Sequence, residues 1–121
     1  MTLGEKQEVF TAHLAMLITH MVSKGYGVRL KEVLRTKEQA EIYAAQGKGI
    51  LNSNHRNGCA ADMYFSKAGE LLWSGEAYEI AASYWTKLST PFTLIDLEHC
   101  WGGDFKRRDV YHYSIKHGGV I

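Results

Sequence analysis

The sequence predicts an α+β fold, a small domain in which an antiparallel sheet packs against flanking helices. Three segments carry apolar residues at helical spacing, and short strand-like segments lie between them, separated by turns rich in glycine and asparagine. The chain has 121 residues. That length suits one compact domain and leaves no room for two, so we expect residues 1–121 to form a single domain.

Three helices are predicted, over residues 2–25, 36–47 and 74–88. Glu5 follows Thr2 by three residues, and Gln39 follows Thr36 by three residues, which is the spacing of a capping box. Ser74 can cap the third helix, and Pro91 prevents that helix from continuing. Strands are predicted over residues 26–34, 59–65, 71–73, 92–97 and 110–115, with a hairpin turn over 66–70 and a glycine-containing loop before the last strand.

Composition excludes several classes of function. The net charge is +1, from 14 basic and 13 acidic residues, and this balance argues against a nucleic-acid binder with a broad basic face. The basic cluster Lys106-Arg107-Arg108 is either a solvated loop or a contact for an anionic polymer. No apolar stretch suits membrane insertion, and the N-terminus lacks the features of a signal peptide.

Two cysteines, Cys59 and Cys100, are too few for a disulfide framework and are expected to be free thiols made in a reducing cytosol. Each also opens an alternative chemistry, in which a thiolate and a histidine act as a cysteine peptidase. Cys59 lies within an apolar segment, where a small buried hydrophobic role is the simpler interpretation.

Asp62 is unusual because it interrupts an otherwise apolar strand. A buried carboxylate needs a metal, a basic side chain or backbone donors beside it. His55 stands just before this strand and His112 lies in the last one, so the three side chains are candidate ligands of one metal ion. Asp109, expected at a bend before the last strand, is a candidate base beside the same site. Taken alone, each residue also has a structural interpretation, as a core histidine or an arginine-paired aspartate.

Four motifs, in order along the chain, resemble one known family. Residues 53–62 match S-x-H-x-x-G-x-A-x-D, and residues 109–112 match D-x-x-H. Residues 35–39 are similar to R-[ST]-x-x-Q, and residues 101–105 are similar to W-G-G-D-aromatic. Together they resemble the D-alanyl-D-alanine carboxypeptidase and L-alanyl-D-glutamate endopeptidase family of zinc peptidases, and its phage endolysin branch in particular.

This resemblance implies roles for named residues. His55, Asp62 and His112 would bind one Zn²⁺, and Asp109 would be the general base. Arg35 and Gln39 would face the substrate or the oxyanion formed during attack, although both also suit the start of an ordinary helix. Ser53 and Trp101 would contact the substrate, and Ser53 has the simpler alternative of orienting its loop.

The implied function is hydrolysis of peptidoglycan stem peptides, with the L-Ala–D-Glu bond as the first expectation. Such an enzyme would be a monomer made in the cytoplasm of the bacterial host of a phage, and a holin would release it to the periplasmic wall. A D-Ala-D-Ala carboxypeptidase of the same family is the nearest alternative. A cysteine peptidase and a non-catalytic wall-binding module are the others.

Overall fold

The computed structural model describes residues 1–47, 53–89 and 97–121. Along the chain the elements are α1 (Leu3–Ser23), β1 (Gly27–Glu32), α2 (Lys37–Ala45), β2 (Ala60–Lys67), β3 (Glu70–Leu72), α3 (Glu76–Lys87), β4 (His99–Trp101), a short 3₁₀ helix (Gly102–Asp104) and β5 (His112–Ile115). None of the described helices combines the length and apolar character that crossing a bilayer requires.

The strands form one antiparallel sheet in the order β1-β2-β5-β4, and β3 pairs with the far end of β2. Alternate residues of a strand face opposite sides, which divides this sheet into two distinct faces. On β2, Ala61, Met63 and Phe65 are buried in the core, whereas Asp62 and Tyr64 on the other face are partly exposed. The predicted α+β class is therefore confirmed.

Helices α1 and α3 cover the apolar face of the sheet. Phe10 and Leu17 of α1 and Trp85 of α3 belong to the same buried cluster as the inward residues of β2 and β5, and the rings of Phe10 and Trp85 meet edge to face with centroids 5.8 Å apart. The Trp85 indole also donates to the backbone carbonyls of Cys100 and Ser114, at 3.1 and 3.0 Å. These bonds fix α3 to the pair of strands β4 and β5 on one face of the sheet, and we call the opposite face, on which Asp62 and Tyr64 are partly exposed, the open face.

The threonine N-caps of α1 and α2 lie where the sequence predicts them. Thr2 accepts a hydrogen bond from the backbone N–H of Glu5 at 3.2 Å, and Thr36 accepts one from Gln39 at 3.1 Å. The predicted cap of the third helix was wrong. Gly75, not Ser74, precedes α3, with a φ of +103° that favours glycine, and no side chain caps this helix.

The segment between residues 97 and 110 is more ordered than the predicted loop, because it contains β4 and the 3₁₀ helix. Three residues are too few for an alternating pattern to reveal a strand. Strand β5 begins at His112, two residues later than predicted, since Val110 and Tyr111 form a turn. Except for Leu97, the predicted strand 92–97 lies outside the described residues, as do Pro91 and most of the loop predicted before His55.

Candidate metal centre and cavity

Three side chains meet on the open face of the sheet. Asp62 of β2 lies directly opposite His112 of β5 in the antiparallel register, and His55 arrives from the turn that precedes β2. One ligand atom from each of the three lies within 4.8 Å of the others. Within the described ranges, this is the group of His, Cys, Asp or Glu side chains that could hold a metal ion.

The turn that presents His55 is fixed by its own sequence. The buried amide of Asn54 donates to the carbonyls of Ile115 and Val120, at 2.7 and 2.9 Å. Ser53 accepts a hydrogen bond from the backbone N–H of His55 at 3.2 Å. Gly58 closes the turn at a φ of +68°, a conformation that side chains other than glycine rarely adopt. The S-x-H-x-x-G pattern therefore positions His55, and Ser53 orients the turn while also lining the cavity described below.

Backbone carbonyls define which ring nitrogens of the two histidines face inward. His55 Nδ1 lies 3.2 Å from the carbonyl oxygen of Val33, and His112 Nε2 lies 3.3 Å from a main-chain oxygen of Ile121, which likewise only accepts. A carbonyl oxygen only accepts, so we assign the proton of each neutral ring to these outer nitrogens. The inner nitrogens, His55 Nε2 and His112 Nδ1, then direct lone pairs towards Asp62.

Asp62 completes an electron-rich cluster. Its Oδ1 lies 3.3 Å from His55 Nε2 and 3.4 Å from His112 Nδ1, yet this buried oxygen forms no hydrogen bond. Burial raises the pKa of Asp62, but in the metal-free protein the charge and hydrogen bonding of His112 and His55, when a proton sits on the nitrogen that faces the carboxylate, outweigh burial and bring the pKa down to about 2. A metal ion could take the place of protons on the two inner nitrogens, and two imidazole nitrogens with one carboxylate oxygen form a donor set of open zinc sites.

A cavity of about 730 Å³ opens above these three residues. Its wall is formed by residues of four segments: Arg35, then Ser53, then the loop residues Phe105, Arg107, Arg108 and Asp109, and finally Gly119, Val120 and Ile121. Asp109 precedes the turn into β5, as predicted, and its Oδ1 accepts a hydrogen bond from the backbone N–H of Tyr111 at 3.1 Å. A carboxylate is thus held on the wall of the cavity that contains the three candidate ligands.

The W-G-G segment shapes the loop that carries Asp109. A Cβ on Gly102 would lie 2.1 Å from the carbonyl oxygen of Asp109, and one on Gly103 would lie 2.3 Å from the Trp101 ring. The Trp101 indole donates to the carbonyl of Val110 at 2.9 Å. The predicted substrate contact of Trp101 is not supported, because this buried side chain pairs with Tyr113 on the helix-covered face and does not line the cavity.

Arg35 and Gln39, which the sequence assigned to one site, lie in different environments in the structure. Arg35 lines the cavity, and its guanidinium donates to Glu32 Oε1 from Nε at 2.8 Å and from Nη2. Gln39 does not line the cavity, and its backbone N–H belongs to the cap of α2. The structure therefore retains Arg35 as a candidate for contact with a substrate and gives Gln39 the helix-start interpretation.

Glu32 is a residue that the sequence did not identify as part of the site. Its Oε1 binds Arg35 and lies 3.6 Å from His55 Nδ1, so one carboxylate adjoins both. A register shift between Leu30 and Glu32 places Glu32 opposite Asp62. The spacing of Glu32 and Arg35 was visible, but nothing in the sequence reveals the bulge that turns Glu32 towards the site.

Neither cysteine is placed for thiolate chemistry. Burial raises the pKa of Cys59, although Lys6 opposes this, and burial together with Glu98 raises the pKa of Cys100 to about 11. Their thiols face the backbone carbonyls of Asn57 and Glu98, and both cysteines are free. The protonated form that these environments favour is a poor nucleophile.

No protein-family model and no curated protein matches this sequence. Among solved structures, the chain is similar to the L-Ala D-Glu endopeptidase ChiX of Serratia marcescens, with a TM-score of 0.64 and 21% identity over 85% of this chain and 77% of that chain. The chain has the fold of this endopeptidase. At this level of identity the likeness extends to the fold, and the chemistry of the site must be argued from its own residues.

Proposed function

We propose that the protein is a zinc-dependent peptidase that cuts the stem peptides of peptidoglycan, with the L-Ala–D-Glu bond as its preferred target. One observation carries this proposal. The inner nitrogens of His55 and His112 and the buried oxygen of Asp62 face a common point, in a cavity that has Asp109 on its wall. The fold shared with ChiX supports the choice of substrate, as does the order of the four motifs.

The residues of the cavity divide the work of peptide hydrolysis. His55, Asp62 and His112 would hold Zn²⁺, which when bound would supply Lewis acidity to the scissile carbonyl and to the attacking water. Asp109 accepts the proton of the attacking water and delivers it to the leaving amine. Arg35, steadied by Glu32, donates to the oxygen that gains negative charge during the attack.

The biological setting follows from the same proposal. We propose that the enzyme is a monomeric phage endolysin, made in the host cytoplasm and released to the periplasmic wall by a holin. The alternatives are a D-Ala-D-Ala carboxypeptidase, a non-catalytic wall-binding module and a cysteine peptidase. The raised pKa values of Cys59 and Cys100 disfavour the last of these.

Digestion of purified muropeptides, followed by mass spectrometry, tests the function and identifies the bond. We expect zinc-loaded protein to release a D-Glu N-terminus, chelation to abolish the cleavage, and added zinc to restore it. Release of D-Ala alone would establish the carboxypeptidase. Cleavage that resists chelation but is lost on replacing both cysteines with alanine would establish cysteine chemistry, and binding without any cleavage would indicate a wall-binding module.

A further inference from the structure

Arg107 has no role in the hydrolysis described above, yet it lines the cavity. We propose that Arg107 determines specificity by binding the free carboxylate of the residue on the C-terminal side of the scissile bond. This inference rests on the proposed function and names the feature of the substrate that the cavity selects.

The three arginines that line the cavity differ in the partners that their guanidinium groups already contact. Arg35 is bound by Glu32. Arg108 lies 4.0 Å from Glu79 and over the ring of Trp101. Within residues 1–47, 53–89 and 97–121, Arg107 has no carboxylate, hydrogen-bond or aromatic partner, although it lines the same cavity. Arg107 is therefore the cavity arginine whose guanidinium is available to a ligand.

The charges around the cavity favour an anionic ligand. Asp62 and Asp109 together offset one divalent cation, Glu32 offsets Arg35, and Glu79 faces Arg108. Arg107 adds a positive charge that forms no ion pair with any residue of the described ranges. A guanidinium presents paired N–H donors in a plane, a geometry that suits the two oxygens of a carboxylate.

The proposed substrate carries such a group close to the scissile bond. A glutamate within a peptide keeps one free carboxyl group, whichever of its two carboxyl groups joins the next residue. In an L-Ala–D-Glu substrate this carboxylate belongs to the residue that supplies the leaving amine. Arg107 and Asp109, the proposed base that serves this amine, are separated by one residue on the same loop, so a substrate that engages one is brought near the other.

The test compares two synthetic muropeptides that differ in this one group. One contains D-Glu, and the other contains D-isoglutamine, in which a carboxamide replaces the free carboxylate. For the zinc-loaded wild type we expect kcat/KM to be about ten- to hundredfold higher for the D-Glu peptide, the range expected for a charge-assisted hydrogen-bonded pair. Most of this difference should lie in KM.

Arg107→Gln should remove the preference by slowing cleavage of the D-Glu peptide alone, with unchanged zinc content and thermal stability. Arg107→Lys should retain part of the preference, because a point charge remains. Lys106→Gln is the matched control, because Lys106 is the adjacent exposed cation and does not line the cavity; its preference should equal that of the wild type.

Two results would overturn the assignment: equal rates for both peptides in the wild type, or an undiminished preference in Arg107→Gln. Failure of the zinc-loaded wild type to cut either peptide would instead refute the proposed function, and the role of Arg107 with it. The two failures are distinguishable because only the first leaves an active enzyme.

Discussion

At the scale of single residues, the site depends on where protons lie on two imidazoles. The Val33 and Ile121 carbonyls hold the outer nitrogens, so that His55 and His112 face Asp62 as lone-pair donors. Sequence reasoning singled out Asp62 because a carboxylate within an apolar strand needs a partner, and the motif resemblance grouped His55 and His112 with it. It could not show the carbonyl contacts, which come from backbone distant in sequence.

His112→Ala should eliminate stoichiometric zinc, because two remaining ligands make a much weaker site. Metal content after dialysis, measured by mass spectrometry, checks this expectation. His20→Ala is the matched control, since His20 stacks on Tyr84 on another part of the surface. Retained zinc in His112→Ala would remove His112 from the ligand set.

Asp109→Asn should leave zinc bound but lower kcat by about 10²- to 10⁴-fold, the usual contribution of a general base. The amide oxygen can still accept from the backbone of Tyr111, so the loop should keep its shape. Asp104→Asn, an exposed change in the same segment, should retain full activity. Undiminished turnover in Asp109→Asn would mean that another group accepts the proton.

Glu32→Gln should weaken zinc binding by about tenfold or more, the lower range for residues that orient a ligand from behind. The change removes the charge beside His55 and loosens Arg35. Competition with a chromogenic chelator measures the affinity, and the exposed Glu38→Gln provides a control. Unaltered affinity would show that the Val33 carbonyl alone orients His55.

At the scale of elements, the sequence predicted those features that depend on residues close together in the chain. The capping boxes at Thr2 and Thr36 placed α1 and α2 correctly because a cap lies within three residues of its partner. The short β4 and the bulge before Glu32 were missed, since pairing with distant strands creates both. The position of Trp101 away from the cavity could not be foreseen for the same reason: its face is set by its register with β5.

Gly102→Ala tests the element that carries the base. The added methyl group would overlap the Asp109 carbonyl, and a displacement of about 1 Å at a catalytic group can reduce activity about 10²-fold. We expect lower kcat with zinc still bound, whereas Gly4→Ala, which meets nothing closer than 4.0 Å, should have no effect. Wild-type turnover in Gly102→Ala would show that the loop tolerates the shift.

At the scale of the whole molecule, a second histidine pair lies on the helix-covered face. His13 of α1 and the buried His99 of β4 form a hydrogen bond of 2.8 Å between ring nitrogens. Burial, reinforced by His13, lowers the pKa of His99 to about 4. The folded protein therefore resists protonation of this ring at a pH where the unfolded chain accepts the proton.

The free energy of unfolding should consequently fall as the pH decreases from about 6.5 towards 4, with a contribution from His99 of up to about 1.4 kcal/mol per pH unit. Above this window the contribution is constant, because the ring is neutral in both states. Urea denaturation of wild type and His99→Gln, at equal zinc content, measures the difference. Equal slopes in the two proteins would contradict the assignment.

The antiparallel register that sets His112 opposite Asp62 also has a mechanical consequence. An ion shared by β2, β5 and the turn before β2 would add a cross-link between three segments that are otherwise joined by the strand pairing and by the Asn54 amide. The helix-covered face would remain packed through its apolar core whether or not the ion is bound. Loss of the ion would then loosen the open face of the sheet first and leave the helix-covered face intact.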